Sequence, residues 1–256
     1  MNKILYAIFV VAALASCTEA YNIQGASSVS SLDGSKLYLK VVSGNKLNNI
    51  DSCEVVHGKF RFSGQFDSVR MASLYMDDRS VMPLVIEMGD ISVRIDDAQQ
   101  RVSGSPLNEL LYDFLDKHQQ LENRLQELSH RESQMLLDGI DEDIIGRHLS
   151  IEAAEIARQT DSLETSFIIE NFDNVLGPGI FMMITSGYQY PILTPQIEEL
   201  MSKGTDHFKN DAYVSEYYRV ANEIHTQMQN GGVPASQPSS IEEPNDSIVQ
   251  SILNAE

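Results

Sequence analysis

The sequence is short of cysteine, tryptophan and basic residues. Its 256 residues include two Cys, no Trp, and 18 Lys and Arg against 37 Asp and Glu, which gives a formal net charge of −19. Because affinity for a phosphate backbone comes mainly from Lys and Arg, this balance argues against nucleic acid and against an anionic lipid surface as partners. Two Cys are too few for a CxxC pair with a separate resolving thiol or for a four-thiolate zinc site.

Long hydrophobic runs are also scarce, and the clearest one lies at the N-terminus. The apolar run Ile4–Leu14 has 11 residues, which is too short to span a bilayer of about 30 Å and is typical of a secretory signal. It ends in Leu14–Cys17, a Leu-Ala-Ser-Cys sequence that resembles the bacterial lipobox. We therefore expect residues 1–16 to be a lipoprotein signal peptide and Cys17 to be lipidated at the start of a tether over 17–20. An ordinary signal peptide with a chance Cys is the alternative.

The expected anchor predicts a place in the outer membrane of a Gram-negative envelope. Two or three acyl chains suffice for stable anchoring, at about 0.8 kcal/mol per buried methylene. Thr18 follows Cys17, instead of the Asp associated with retention in the inner membrane. The periplasmic and the surface face both remain open, because Glu19 is the one acidic residue close to the lipid site.

The region 21–105 has the alternating pattern of half-buried strands. The composition of the whole chain, with 42% apolar and 21% charged residues, is that of a globular protein. Alternation with more polar neighbours is clearest at Leu37, Leu39, Val41, Phe60, Phe62, Val93 and Ile95. With the turn signals between them, this pattern predicts about seven or eight strands in an antiparallel sandwich or barrel. His57 and Gly58 are expected to form a two-residue hairpin turn between Cys53–Val56 and Lys59–Phe62.

Several segments of this region are similar to a known family. They are Tyr21–Gly25, Asp51–Ser52, Val56–Gly64, Ile86–Ile91 and Val102–Asn108. Together they resemble the domain of unknown function 4369, over about residues 21–230. In lipoproteins of the Bacteroidota this domain commonly precedes a thioredoxin-like domain, which carries the thiol-disulfide chemistry. The 26 residues after Asn230 are too few for that domain and the chain has no CxxC, so we expect its redox activity to be missing here.

From 106 to 229 the apolar spacing changes to threes and fours, which predicts helices packed on the β-rich domain. The first helix is expected from Pro106 to about Leu137, with one face formed by Leu107, Leu111, Phe114, His118, Leu121, Leu125, Leu128, Glu132 and Met135. Ser150 can cap a second helix, so the two would form an antiparallel hairpin. A homodimeric coiled coil through the same face is the alternative. The predicted fold class is therefore α+β, a sandwich or barrel followed by a helical hairpin and further helices.

Metal and phosphate sites are matched only in part. His118 has no second His or Cys three or four residues away, so we interpret it as a partly buried, hydrogen-bonded His. Asp141–Glu152 has the spacing of a calcium loop, but Ile145 stands where Asp or Asn is needed. Gly177–Gly179 lacks the Lys-Ser/Thr of a phosphate loop. We predict no metal and no cofactor, and a disordered acidic tail over 230–256, which is rich in Pro and Ser and has no base after residue 232.

The function predicted from these patterns is binding without catalysis. The sequence contains no G-x-S-x-G, no H-E-x-x-H and no CxxC. We predict a lipid-anchored binding or scaffolding module whose partner is another envelope protein, with a separate thioredoxin-like protein as the candidate. A thiol-dependent activity of Cys53 is the alternative, although an adjacent Glu54 favours an inert, buried thiol. Glycan or peptide capture is a third hypothesis. With 7% aromatic residues and no Trp, the sequence offers few side chains on which a sugar ring could stack.

Overall fold

The computed structural model describes residues 19–43, 46–96 and 99–230. The expected signal peptide over 1–16, the lipid site at Cys17 and nearly all of the tail over 230–256 lie outside the described residues. The described part is α+β, as predicted, with strands first and helices after them.

Eight strands form two sheets within the described residues. Their bounds are β1 Ala20–Ser27, β2 Lys36–Ser43, β3 Lys46–Glu54, β4 Lys59–Gln65, β5 Arg70–Met76, β6 Arg79–Ile86, β7 Gly89–Ile95 and β8 Gln100–Ser103, with a short 3-10 helix at Ser30–Leu32. One sheet has the order β4-β1-β7-β8 and the other β3-β2-β5-β6. Ile23 and Phe62 from the first sheet are buried in one core with Leu39 and Leu84 from the second. The predicted sandwich is therefore confirmed.

Two features of the sheets differ from the sequence prediction. The pair β1–β7 is parallel, whereas all strands were expected to be antiparallel. The turn at His57 and Gly58 forms, with φ of 52° and 68°, and Val56 and Lys59 bridge across it. However, β3 and β4 then separate into different sheets, so the predicted hairpin ladder is wrong. The local turn chemistry was correct, but burial of Phe60 and Phe62 beside β1 decides where β4 pairs.

Six helices follow within the described residues. They are α1 Pro106–Leu137, α2 Glu142–Glu170, α3 Leu176–Ser186, α4 Pro195–Lys203, α5 Asp206–Lys209 and α6 Ala212–Gln229. The bounds of α1 are those predicted. The predicted start of α2 at Ser150 is wrong, because the Asp141 carboxylate accepts a hydrogen bond from the Asp143 N–H at 3.0 Å and caps the helix nine residues earlier. No helix in the described part of the chain is both long and apolar enough to cross a bilayer.

Helices α1 and α2 form the predicted hairpin. Leu128 on α1 is buried with Ile145, Leu149 and Ile156 on α2, in a small cluster of their own. Across the same interface the Arg131 guanidinium lies 2.7 Å from the Glu152 carboxylate. The apolar face of α1 therefore packs largely within the chain.

The start of α1 is fixed to the sandwich by two buried polar residues. Asn108 is fully buried, and its side-chain amide accepts from the Val85 N–H at 2.9 Å and donates to the Val85 carbonyl at 2.7 Å. The Glu87 carboxylate accepts from the N–H groups of Leu107 and Asn108 at the first turn of the helix, where negative charge is stabilising. This attachment sets the direction in which α1 leaves the sandwich.

Candidate functional site

The sequence singled out Cys53 as the alternative reactive group, and the structure places it on β3. It forms no disulfide within the described residues, and its side chain is partly buried against the core. Burial raises the pKa of the Cys53 thiol, and the nearby Asp51 carboxylate raises it further. Because the thiolate is the reactive form, this environment opposes thiol chemistry at neutral pH.

The calcium-loop segment does not form a loop. Asp141 caps α2, and Glu152 lies within that helix, paired with Arg131 across the hairpin. Among the described residues, no group of three or more His, Cys, Asp or Glu side chains is arranged to hold a metal ion.

Gly177 and Gly179 allow close packing around the start of α3 because they have no Cβ. A Cβ at Gly177 would lie 2.5 Å from the Asn171 carbonyl oxygen, and one at Gly179 would lie 2.8 Å from the side chain of Met71. The start of α3 thus fits tightly against the chain that precedes it and against β5.

His118 lies in a different setting, at a junction of helices. Its Nε2 lies 3.0 Å from the Glu164 Oε1 on α2, and its ring lies beside Phe114 with centroids 5.8 Å apart. This agrees with the expected partly buried, hydrogen-bonded His. The bond to Glu164 raises the pKa of His118 above its ordinary value of about 6.5, against the opposite effect of burial.

Beside this pair is a cavity of about 320 Å³, where the hairpin meets α3 and α4. Its apolar lining, called the apolar wall below, consists of Phe114, Leu115, Ile180, Met183 and Ile184. Its polar lining, called the polar wall, consists of His118, Glu122, Thr160, Asp161, Glu164, Tyr188 and Gln196. Gly187, at the end of α3, completes the lining. The cavity therefore combines an apolar wall with a polar wall rich in carboxylates.

Glu164 organises the polar wall. Although it is only 8% exposed, both of its carboxylate oxygens are hydrogen-bonded. One is bonded to His118, and the other accepts from the Gln196 Nε2 at 3.0 Å. These bonds connect α1, α2 and α4 beside the cavity. They also offset the cost of burying the Glu164 carboxylate, which would be high without partners.

The cavity has an excess of negative charge. Its described lining includes the carboxylates of Glu122, Asp161 and Glu164 against the single imidazole of His118, with no Lys or Arg. Burial, and then repulsion by Glu164, raise the pKa of Asp161. Burial raises the pKa of Tyr188 as well, and Glu164 and Asp161 add to that effect. Both shifts follow from a negative potential in a partly desolvated space.

Of the polar residues in this site, His118 alone was singled out from the sequence. Asp161, Glu164, Tyr188 and Gln196 come together from three separate segments, and only folding makes them neighbours. One signal was available, since Glu164 is an acid that directly follows Leu163 on the apolar face of α2. A charged residue at a helix position that packs inward indicates a buried partner.

Comparison with known proteins identifies the sandwich and leaves the cavity unassigned. Residues 21–111 match the family model of the Domain of unknown function (DUF4369). The match includes Glu87 and Asn108 and stops short of the residue 230 that the resemblance suggested. Every residue that lines the cavity lies beyond its end. No curated protein matches the chain.

Proposed function

We propose that this chain, whose residues 21–111 form a DUF4369 domain, is a lipid-anchored outer-membrane protein that works as a non-catalytic binding module. The lipobox-like sequence before Cys17 supports the anchor. The cavity between the hairpin, α3 and α4 supports the binding function and is the observation that carries it.

The size and composition of the cavity suit a small organic ligand. Its volume of about 320 Å³ is at the lower end of the ~300–1,000 Å³ typical of small-molecule sites. Such sites are mostly apolar with a few convergent polar groups, and this lining combines Ile180, Met183 and Ile184 with Glu164 and Gln196.

The chemistry of the site favours binding over catalysis. A His paired with a carboxylate activates a nucleophile only when a hydroxyl or thiol is within hydrogen-bond reach. Within the described residues His118 is hydrogen-bonded to Glu164 alone, and the Thr160 hydroxyl donates instead to the Ile156 carbonyl. In this proposal the His118–Glu164 hydrogen bond therefore has a structural role and joins α1 to α2.

Binding is tested with a neutral apolar dye, 1-N-phenylnaphthylamine, and the full chain carrying Cys17→Ser, so that no acyl chain competes for the dye. We expect dye fluorescence to rise on binding and the rise to be lost in Gly187→Leu. The position is suitable because Gly187 has an ordinary φ of −73° and open space around its Cβ.

Gly146→Leu is the matched control, since Gly146 also has open space and lies on the exposed surface of α2, away from the cavity. Equal dye binding by both Leu variants and the Cys17→Ser chain would show that the cavity is not the binding site.

The anchor is tested by labelling cells with a palmitate analogue and separating their membranes. We expect Cys17→Ser to lose both the label and the outer-membrane fraction, while the same substitution at Cys53 keeps both. Label and membrane association that persist in Cys17→Ser would contradict the proposed anchor.

A protein partner is supported by apolar side chains at the far end of the hairpin. Leu137 is 83% exposed, and Ile144 and Leu136 nearby are about half exposed. Contiguous exposed apolar patches mark protein contacts, and we propose that these side chains contribute to one. Crosslinking in native membranes should join residues 106–230 to a thioredoxin-like envelope protein. Self-crosslinks alone would instead support the homodimer.

A further inference from the structure

The cavity can be assigned a ligand class from the chemistry of its lining residues. The apolar wall is formed by Phe114 and Leu115 of α1 and by Ile180, Met183 and Ile184 of α3. Contact with this wall removes hydrocarbon from water, which is favourable by about 25 cal/mol per Å² of apolar surface. A ligand that fits must therefore have an apolar body.

The polar wall lacks a counter-charge. Glu122, Asp161 and Glu164 supply three carboxylates, and His118 alone can carry a positive charge among the described lining residues. Even with His118 protonated, two negative charges are left without a cation inside the cavity. Glu122 is partly buried and Asp161 is exposed. Near a protein surface the attraction between such a charge and a cation is about fourfold stronger than in bulk water.

The carboxylates are not equally available. Glu164 is occupied by His118 and Gln196. The carboxylate of Asp161 accepts no hydrogen bond from the residues that the structure describes, although it lies one helical turn before Glu164. The Asp161 backbone carbonyl receives the Gln196 side chain at 3.4 Å, which holds this turn of α2 against α4. Asp161, on the exposed side of the cavity, is therefore the group placed to meet a positive charge.

We infer that the cavity binds an organic cation with an apolar body, such as an alkylamine, with its ammonium group at Asp161 and its hydrocarbon against Ile180, Met183 and Ile184. This inference rests on the proposed binding function and names its ligand. A carboxylate ligand of the same shape is repelled by the same groups. A bare metal ion fits poorly, because the described residues offer no three-ligand cluster and the apolar wall cannot solvate an ion.

The test compares three ligands of one length: octylamine, octanol and octanoate. Binding to the full chain with Cys17→Ser is measured by calorimetry at low ionic strength. We expect octylamine to bind about tenfold more tightly than octanol, which corresponds to ~1.4 kcal/mol, and octanoate to bind most weakly. Added salt should reduce the preference for the amine, because the mouth of the cavity is open to solvent.

Two variants locate the interaction. Asp161→Asn should lower octylamine affinity about tenfold and leave octanol affinity unchanged, since it removes a charge and preserves the shape of the side chain. Gly187→Leu should abolish the binding of both, and Gly146→Leu should change neither. Thermal unfolding of each variant confirms that it is folded.

The outcomes separate the ligand class from the binding function. Equal affinities for octylamine and octanol would overturn the cation assignment and leave the binding function standing. An amine preference that survives Asp161→Asn would also overturn it, because the charge would be recognised elsewhere. If neither these ligands nor the neutral dye binds, both the assignment and the binding function fail.

Discussion

At the scale of single residues, the attachment of α1 depends on Asn108. Strand β6 is at the edge of its sheet, so one side of its backbone has no neighbouring strand. The Asn108 amide accepts from the N–H and donates to the carbonyl of Val85, and so replaces a strand at that point. Burying these backbone groups without a partner would cost about 1–3 kcal/mol each. The N–H and carbonyl of Val85 on the free edge of β6 therefore both have hydrogen-bond partners.

Asn108→Leu should lower the free energy of unfolding by about 2–4 kcal/mol, because it leaves Val85 and Glu87 without their buried partner. Denaturant unfolding measures the change. Asn48→Ala, on the exposed part of β3, is the control and should change stability by less than about 0.5 kcal/mol. A loss of under 1 kcal/mol in Asn108→Leu would show that water replaces the amide.

His118 makes stability depend on pH. Its pKa is raised in the folded state, so the protonated ring favours folding. This stabilisation is complete below the unfolded value of about 6.5 and is lost as the pH rises through the folded-state pKa. We expect the stability advantage of the natural chain over His118→Gln to be larger at about pH 5.5 than at about pH 9.

The control for that comparison is His130→Gln, at an exposed position on the same helix. It should leave the pH dependence of the free energy of unfolding as it is in the natural chain. A constant difference between the natural chain and His118→Gln across this pH range would mean that the Glu164 bond does not favour the charged ring.

At the scale of elements, sequence patterns located most strands and helices and misjudged their limits and partners. Pro106 and the three-and-four spacing predicted α1 correctly, because helix starts and apolar faces are local signals. The start of α2 was placed at Ser150, whereas Asp141 caps it. Both residues are good caps, and the choice is made by Ile145 and Leu149, which extend the buried face of the helix toward its N-terminus.

The two candidate caps can be compared directly. Asp141→Ala should lower the free energy of unfolding by about 1 kcal/mol, because the Asp143 N–H loses its acceptor. Ser150→Ala should be neutral or slightly stabilising, since Ser150 lies inside the helix and donates only to the Arg147 carbonyl. Denaturant unfolding of both variants is the measurement, and a larger loss in Ser150→Ala would contradict the observed start of α2.

At the scale of the whole molecule, the described residues contain two apolar clusters of different size. The large one joins both sheets with the start of α1, the end of α2 and the later helices. The small one centres on Leu128, Ile145, Leu149 and Ile156. The sequence predicted the apolar face that builds both clusters. It could not predict the cavity, because the cavity depends on how α3 and α4 approach the hairpin from distant parts of the chain.

The far part of the hairpin should open more readily than the sandwich. Few buried contacts hold it, so its amide hydrogens should exchange through local opening at a lower free energy than those of β1 and β7. Native-state hydrogen exchange, measured by peptide-resolved mass spectrometry, gives both values. The same opening free energy in both regions would show that the chain unfolds as one cooperative unit.

The parallel pair β1–β7 has a consequence for the order in which the molecule is assembled. Strand β1 is central in its sheet, between β4 and β7, and Ile23 pairs with Ile91 far along the chain. Contacts of such long sequence separation slow folding, whereas the α1–α2 hairpin closes over a short loop. Synthesis begins at the N-terminus, so β1 is made long before β7. The edge of β1 that pairs with β7 therefore stays unpaired until β7 has been synthesised. A chaperone that shields unpaired strands would therefore act mainly in the interval before β7 is available.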